Sequence, residues 1–234
     1  AGSRLKLEGP EAQHMLRVMR KKVGDEVTLF DGQGQEMRAS IVECDRRRAD
    51  LELQGEVHID PPRPGHLELA IALPRGGEVV EVVRRAIEAG ADVIRPLIAS
   101  RSVHRADKKS EEKRIDKMNQ AAITALKQCG RNSLPRFTAP TKLIELSIGK
   151  DQTGVFGSTY GGVNVRQFEK SLGGVPRNMV IVVGPEGGLT DQETEHLNTI
   201  GFTAVSLGSL VYRVETAAIA LLSYFSSAAE DEFA

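Results

Sequence analysis

The sequence predicts an α/β protein in two parts: a small antiparallel β domain, followed by a larger domain in which strands and helices alternate around a mostly parallel sheet. Three observations carry that expectation. Residues 1–60 hold short β-like runs joined by Gly and Asp turns. The stretch Asp60-Pro61-Pro62-Arg63-Pro64-Gly65 then interrupts every period, and from residue 67 onward the pattern switches between a repeat of two and a helical repeat. The expected domains are therefore 1–62 and 66–234.

In order along the chain, residues 10–18 offer a short helix. Glu26-Val27-Thr28-Leu29-Phe30 reads as a strand, Asp31-Gly32-Gln33-Gly34 as a turn, and 36–42 and 49–53 as further strands, which together fit a small antiparallel barrel or sheet. Pro61, Pro62 and Pro64 can continue neither a ladder nor a helix, so the boundary falls there. Beyond it, 67–73 reads as a strand. Residues 78–89 form an amphipathic helix with Val79, Val82, Val83, Ala86 and Ile87 on one side, closed by Gly90. A strand at 93–98 precedes a long helix over 107–128 whose apolar stripe is Ile115, Met118, Ala122, Ala125 and Leu126. Strands follow at 153–157, 179–183 and 203–207, and a final helix covers 216–226. Such alternation implies a mostly parallel sheet covered by helices.

Composition narrows the function classes. With 234 residues and 40% hydrophobic content the chain can bury a substantial core. No apolar run approaches the roughly 18 residues of a membrane span, and the N-terminal residues, with Arg4, Lys6 and Glu8, lack the apolar stretch of a signal peptide. A soluble cytoplasmic protein is expected. Cys44 and Cys129 are the only cysteines and lack Cys-x-x-Cys spacing, so both read as buried small hydrophobes. The five histidines show no ligand spacing, and no metal is expected. A net charge of −1 hides an asymmetry: residues 1–142 carry 26 Lys+Arg against 21 Asp+Glu, and residues 143–234 carry 5 against 11. The cations group as Arg17, Arg20, Lys21 and Lys22, as Arg46 to Arg48, and as Arg101, His104, Arg105, Lys108 and Lys109. Such groups can neutralise phosphates, although Glu111, Glu112 and Asp116 interleave the last set as on a solvated helix.

Two late segments carry the chemistry. Each reads as a buried strand, a Gly-bearing turn and a helix start. The first is Met179 to Val183 with Gly184-Pro185-Glu186-Gly187-Gly188, then a capping box, Thr190-Asp191-Gln192-Glu193. The second is Leu207-Gly208-Ser209-Leu210-Val211-Tyr212-Arg213-Val214-Glu215-Thr216-Ala217, with Arg213 in a place where a buried connection is expected. Ligands of open α/β sheets settle where loops leave the carboxyl ends of strands, so the two exits suggest one pocket. Phosphate binding is disfavoured, because Gly-x-Gly-x-x-Gly and Gly-Lys-Ser/Thr are absent and Glu186 would meet the phosphate. Taken singly, Glu215 reads as a first-turn acid and Thr216 as a cap.

Together, Gly184-Pro185-Glu186-Gly187-Gly188, Leu207-Gly208 and Arg213-Val214-Glu215-Thr216-Ala217 resemble the RsmE family, the ribosomal RNA uridine-N3 methyltransferases of the SPOUT class. His14-Met15-Leu16-Arg17-Val18, Val23-Gly24-Asp25 and Asp31-Gly32-Gln33-Gly34 look like that family's N-terminal PUA-like domain. Pro96, Ser100-Arg101-Ser102, Gln128, Arg131 and Leu134-Pro135 look like its central signatures. The chain departs from the pattern at Glu88-Ala89-Gly90, at Val211-Tyr212-Arg213 and over 157–162.

The resemblance implies a PUA-like β-barrel that binds RNA, then a trefoil-knotted SPOUT domain, paired as a homodimer whose buried face includes Ala218, Ile219, Leu221, Leu222 and Phe225. It implies S-adenosylmethionine as cofactor, held by Phe156, Gly157, Gly184, Pro185, Gly187, Gly188, Leu207, Gly208, Leu210, Val211, Tyr212, Glu215, Thr216 and Ala217. It implies methylation of uridine N3 in small-subunit (16S) ribosomal RNA, with Arg213 stabilising charge on the uracil and Glu186 as proton acceptor or anchor. Arg17, Arg20, Lys22, Arg101 and Arg131 would contact the RNA, either naked or within an assembled small subunit. The alternatives are a non-catalytic RNA-binding or assembly factor on the same fold, and a dinucleotide-dependent oxidoreductase, which the missing glycine fingerprint counts against.

Overall fold

The computed structural model describes residues 3–61, 65–72, 78–102 and 108–231, with side chains described except at 108–112 and 228–231. The ends of the expected strand at 67–73 and helix at 107–128, and the prolines Pro62 and Pro64, lie outside those residues. Two compact units are present: residues 1–62 together with 131–133, and residues 63–130 together with 134–234.

The first unit runs β1 (Arg4–Glu8), α1 (Gly9–Gln13), a π-helical turn (His14–Val18), β2 (Glu26–Phe30), β3 (Gln35–Cys44) and β4 (Arg48–Ile59). Its four strands pair antiparallel in the order β1-β4-β3-β2. Alternation puts Ala39 and Ile41 of β3, and Ala49 and Leu51 of β4, on one face, where they pack with Met15, Leu7, Val27 and Leu29. β1 escaped the sequence reading because its charged residues are exposed and only Leu7 reaches the core. β4 runs past the expected 49–53 through Gly55 to Ile59, where every residue is exposed, Val57 and Ile59 included, and a glycine interrupts the strand-like run. Asn132 belongs to this unit: its side-chain amide donates to Glu36 Oε2 at 2.9 Å and Asp60 Oδ1 at 3.3 Å, while its carbonyl accepts the Gly34 N–H.

The second unit comprises β5 (His66–Ile71), α2 (Glu78–Glu88), β6 (Val93–Ile98), α3 (Lys108–Cys129), β7 (Arg136–Phe137), β8 (Thr141–Lys142), a 3-10 turn (Leu143–Glu145), β9 (Thr153–Gly157), β10 (Val163–Asn164), α4 (Val165–Leu172), β11 (Asn178–Val183), α5 (Asp191–Thr199), β12 (Phe202–Ser206) and α6 (Val214–Asp231). Every strand pair in its sheet is parallel, in the order β10-β12-β9-β11-β5-β6-β7, with β8 beside the end of β6. The mostly parallel α/β architecture expected from the alternation is therefore present. Helices cover both faces of such a sheet, which is why β5 and β11 are almost wholly buried and apolar. Glu68 is the buried polar residue of β5, and it pairs with Arg95 on the adjacent β6.

Several details differ from the sequence reading. The buried stripe of α3 is Met118, Ala121, Ala122, Ala125 and Leu126, and Ile115, one turn earlier, is exposed. Cys44 and Cys129 are only partly buried. β10 and α4 were not anticipated, although Asn164 caps α4 by accepting the Arg166 N–H and Gly173 ends it at φ 75°. The apolar side of α6 (Ala218, Leu221, Leu222, Phe225) is buried within the chain itself, and Ile219 is half-buried. That side is a core face, so it gives no separate support to a dimer.

Candidate active site

Three strands set the site. β9 lies between β11 and β12, all parallel, with Phe156 beside Val182 and Ala204, and Gly157 beside Val205. Their carboxyl ends coincide, so the loops after Gly157, Val183 and Ser206 leave from one edge of the sheet. The chain fills the slot between β9 and β5 with β11 before crossing to the outer side of β9 with β12, and such changes of direction are where open sheets bind ligands.

After β9, Phe156 is buried and the loop is turned back by the Ser158 N–H on Val205 O (2.9 Å) and by Ser158 Oγ on Tyr160 O (2.7 Å). Tyr160 at the loop tip is 86% exposed.

The loop after β11 is tightly folded. A Cβ on Gly184 would stand 2.7 Å from Leu189 Cδ2, and Gly188 has φ 72°, so both places favour glycine. The Gly188 N–H donates to Pro185 O at 2.8 Å. The N–H groups of Glu186 and Gly187 have no acceptor among the described residues, and both residues are exposed. The expected capping box opens α5: Thr190 Oγ1 accepts the Glu193 N–H, and Glu193 Oε2 accepts the Thr190 N–H at 2.8 Å. Glu193 thus occupies the helix start itself.

The loop after β12 is the opposite. Leu210, Val211 and Tyr212 are 72%, 67% and 38% exposed, so Arg213 lies in an exposed loop and not in the buried connection expected. Gly208 sits at φ 139°. The helix begins at Val214, with the Ala217 N–H on Arg213 O (2.8 Å). Glu215 is indeed in the first turn, but Thr216 is inside that turn and not at the cap.

Sequence reasoning missed the support behind the glycine loop. The Ser100 N–H, just past β6, donates to Glu193 Oε1 at 2.7 Å, and Arg101 Nη1 donates to Gly187 O (2.9 Å) and Leu189 O (3.3 Å). Burial pushes the Glu193 carboxyl upward, but donors on Thr190 and Ser100 more than offset it and hold its pKa below 4.5. The capping box advertised Glu193, whereas its bond to a residue 93 positions earlier leaves no signal in the sequence.

The five residues expected to touch RNA are divided between the two units. Arg17, Arg20 and Lys22 are exposed on the first unit, where Arg20 adopts φ 57° just beyond the π-helical turn. Arg131 is half-buried and also belongs to that unit. Arg101 belongs to the second unit and is turned onto the glycine loop. His104 and Arg105 lie outside the described residues, as do the side chains of Lys108 and Lys109. Among the described residues, no group of three or more His, Cys, Asp or Glu side chains is arranged to hold a metal, and no helix is long and apolar enough to cross a membrane. An open cleft of about 600 Å³, lined by Asp191, Thr194, Glu195, Asn198 and Thr199 of α5, contains none of the residues of the three loops.

Residues 61–226 match the family described as RNA methyltransferase domain, and residues 7–54 match RNA methyltransferase PUA domain. The chain is 26% identical over 227 residues to the ribosomal RNA small subunit methyltransferase E of Bacillus subtilis, covering 94% of this chain and 88% of that one. Among solved structures, a putative methyltransferase of Legionella pneumophila in complex with bound SAM superposes with a TM-score of 0.86 at 30% identity, covering 97% of this chain and 93% of the other. The ribosomal RNA small subunit methyltransferase E of Neisseria gonorrhoeae, bound to S-adenosyl methionine, gives 0.85 at 28% identity, covering 97% and 92%.

Proposed function

This chain belongs to the RNA methyltransferase family, and from that premise we propose that it transfers a methyl group from S-adenosylmethionine to N3 of a uridine in small-subunit (16S) ribosomal RNA. The observation that carries the reading is the convergence of three parallel strand exits, β9, β11 and β12, on one edge of the sheet.

The loops suit the donor. Unpartnered N–H groups at Glu186 and Gly187 can donate to the ring nitrogens of an adenine or to the methionine carboxylate, and the exposed Leu210, Val211 and Tyr212 supply apolar surface for its purine face. Phe156, Gly157, Gly184, Pro185, Gly188, Leu207, Gly208, Glu215, Thr216 and Ala217 line or support the same three exits. When bound, S-adenosylmethionine supplies an electrophilic methyl group.

The chain's own residues have the remaining work. Uracil N3 carries a proton at neutral pH, so a group on the protein must accept it or stabilise the anion that its loss leaves. Arg213, exposed next to Tyr212 just before α6, stabilises charge on the carbonyl oxygens of a base entering from solvent. Glu186, exposed on the glycine loop, is the proton acceptor or a donor-side anchor. Thr216 steadies the first turn of α6. A base must leave its stack to be reached, and RNA is then held mainly by its backbone. The first unit, as a PUA-like RNA-binding domain, grips that backbone through Arg17, Arg20 and Lys22, with Arg131 as a further contact. A homodimer with a threaded C-terminal segment, working in the cytoplasm on rRNA or an assembling subunit, completes the reading.

The test is to mix the purified protein with labelled S-adenosylmethionine and small-subunit RNA from cells lacking the gene, then map the product by mass. A methyl group on uridine N3 is expected. RNA binding without methyl incorporation would instead favour the assembly-factor alternative. Replacing Arg17 or Arg20 with Ala should reduce the salt dependence of RNA binding by about one charge without altering donor affinity.

A further inference from the structure

We infer that Arg101 and Glu193 are positioning residues which together preform the glycine loop for the methyl donor, and that Arg101 does not contact RNA. The inference rests on the methyltransferase reading for the identity of the ligand, but the brace itself is visible without one.

Arg101 lies in the turn after β6, and β5 separates β6 from β11 in the sheet. It nevertheless reaches across to the glycine loop, where Nη1 takes the carbonyls of Gly187 and Leu189 together. The fit is close: a Cβ on Gly187 would lie 3.1 Å from Arg101 Cβ, so the absence of a side chain there lets the arginine stem lie against the backbone. The same turn is fixed from the other side. Glu193, 1% exposed, accepts the Ser100 N–H with one carboxylate oxygen and the Thr190 N–H and Oγ1 with the other, while Ser102 Oγ accepts the Ala99 N–H. One buried carboxylate therefore ties the turn that carries Arg101 to the end of the loop that Arg101 holds.

The consequence is directional. Two carbonyls of the loop are turned to the guanidinium, and the Gly188 N–H is taken by Pro185 O, while the N–H groups of the exposed Glu186 and Gly187 are among those left without a partner among the described residues. A flexible Gly-Gly segment would lose considerable freedom on meeting a ligand, and holding it beforehand removes that cost from binding. A lysine stem is one bond shorter than the path to Nη1, so its ammonium reaches the same two oxygens less well.

Five proteins decide the matter: wild type, Arg101→Ala, Arg101→Lys, Glu193→Gln and the double variant Arg101→Ala/Glu193→Gln. Arg101 is exposed, so its replacement leaves the core untouched. In hydrogen exchange without ligand, amides of 186–190 in Arg101→Ala should open about tenfold faster, the scale of one charge-assisted hydrogen bond. By calorimetry, S-adenosylmethionine should bind this variant roughly tenfold more weakly, with Arg101→Lys recovering part of the loss. RNA affinity and its salt slope should stay as in wild type, whereas an arginine on a phosphate would lower the slope by about one. In the double variant Arg101→Ala/Glu193→Gln the losses should combine to less than their sum, as for groups acting through one contact. Unchanged exchange at 186–190, or a reduced salt slope with donor affinity intact, would overturn the inference. If wild type fails to bind S-adenosylmethionine, the methyltransferase reading falls while the exchange result still judges the brace.

Discussion

The loops after β11 and β12 flank the same strand, β9, yet one is tied down and the other is open. The glycine loop has Arg101 on two of its carbonyls, an internal Gly188 N–H to Pro185 O bond and Glu193 at its end. The loop from Gly208 to Tyr212 has none of these among the described residues, and exposes three large apolar side chains. On the proposed function the difference is a division of labour: the braced side would fix where the donor sits, and the open side would carry Arg213 to the base.

The strongest attack on that division is Arg213→Ala. Turnover should fall by at least about 100-fold, as expected when a group that stabilises developing charge is lost, while donor affinity stays within about twofold of wild type. Equal loss of both would place Arg213 on the donor side instead. Next in size is the contrast itself. By hydrogen exchange, amides of 208–212 should open faster than those of 186–190 in the free protein, and S-adenosylmethionine should slow the former more. Equal protection before ligand would abolish the distinction.

Glu193→Gln should destabilise the second unit by about 2 kcal/mol, because an ionised acceptor of buried N–H groups is replaced by an amide that meets one donor with another. The pH dependence has a definite sign. The folded pKa lies below 4.5, so the stabilisation is present above the unfolded value and is lost as pH falls through the folded one. Urea titrations from pH 7 to pH 3 should show a shallower acid limb for the variant. The smallest effect concerns the helix that follows the open loop. Tyr224 of α6 donates to Glu169 of α4, and burial together with that carboxylate pushes its phenol up to about 12. Its contribution is complete below the ordinary value of 10 and fades as pH rises toward 12. Tyr224→Phe should cost about 1 kcal/mol at pH 7 and remove an ultraviolet transition at that alkaline pH.

Much of the sheet could be read directly because parallel strands announce themselves as uninterrupted apolar runs. Met179 to Val183 was legible for that reason, and the glycines after it were legible because few other residues suit the turn. Two-residue strands such as Arg136–Phe137 and Thr141–Lys142 are too short to carry any period. The open loop misled because Leu210, Val211 and Tyr212 look like core, and only the fold shows them exposed. Arg101 was legible as a cation but not as a brace, since its acceptors are backbone carbonyls more than 80 residues away, which no side-chain pattern encodes.

Asn132 has a consequence for how the protein is made. The first unit is not one stretch of chain: Glu36 and Asp60 point at an amide that is synthesised seventy-odd residues after the nearer of them. A growing polypeptide that has emerged only as far as its prolines would hold two carboxylates facing each other with no donor between them. That unit has its four strands and its core before the prolines but gains the Asn132 donor only once the long helix α3 has been translated, so the order of synthesis is not the order of completion, and a fragment cut at the proline stretch would lack this one tie.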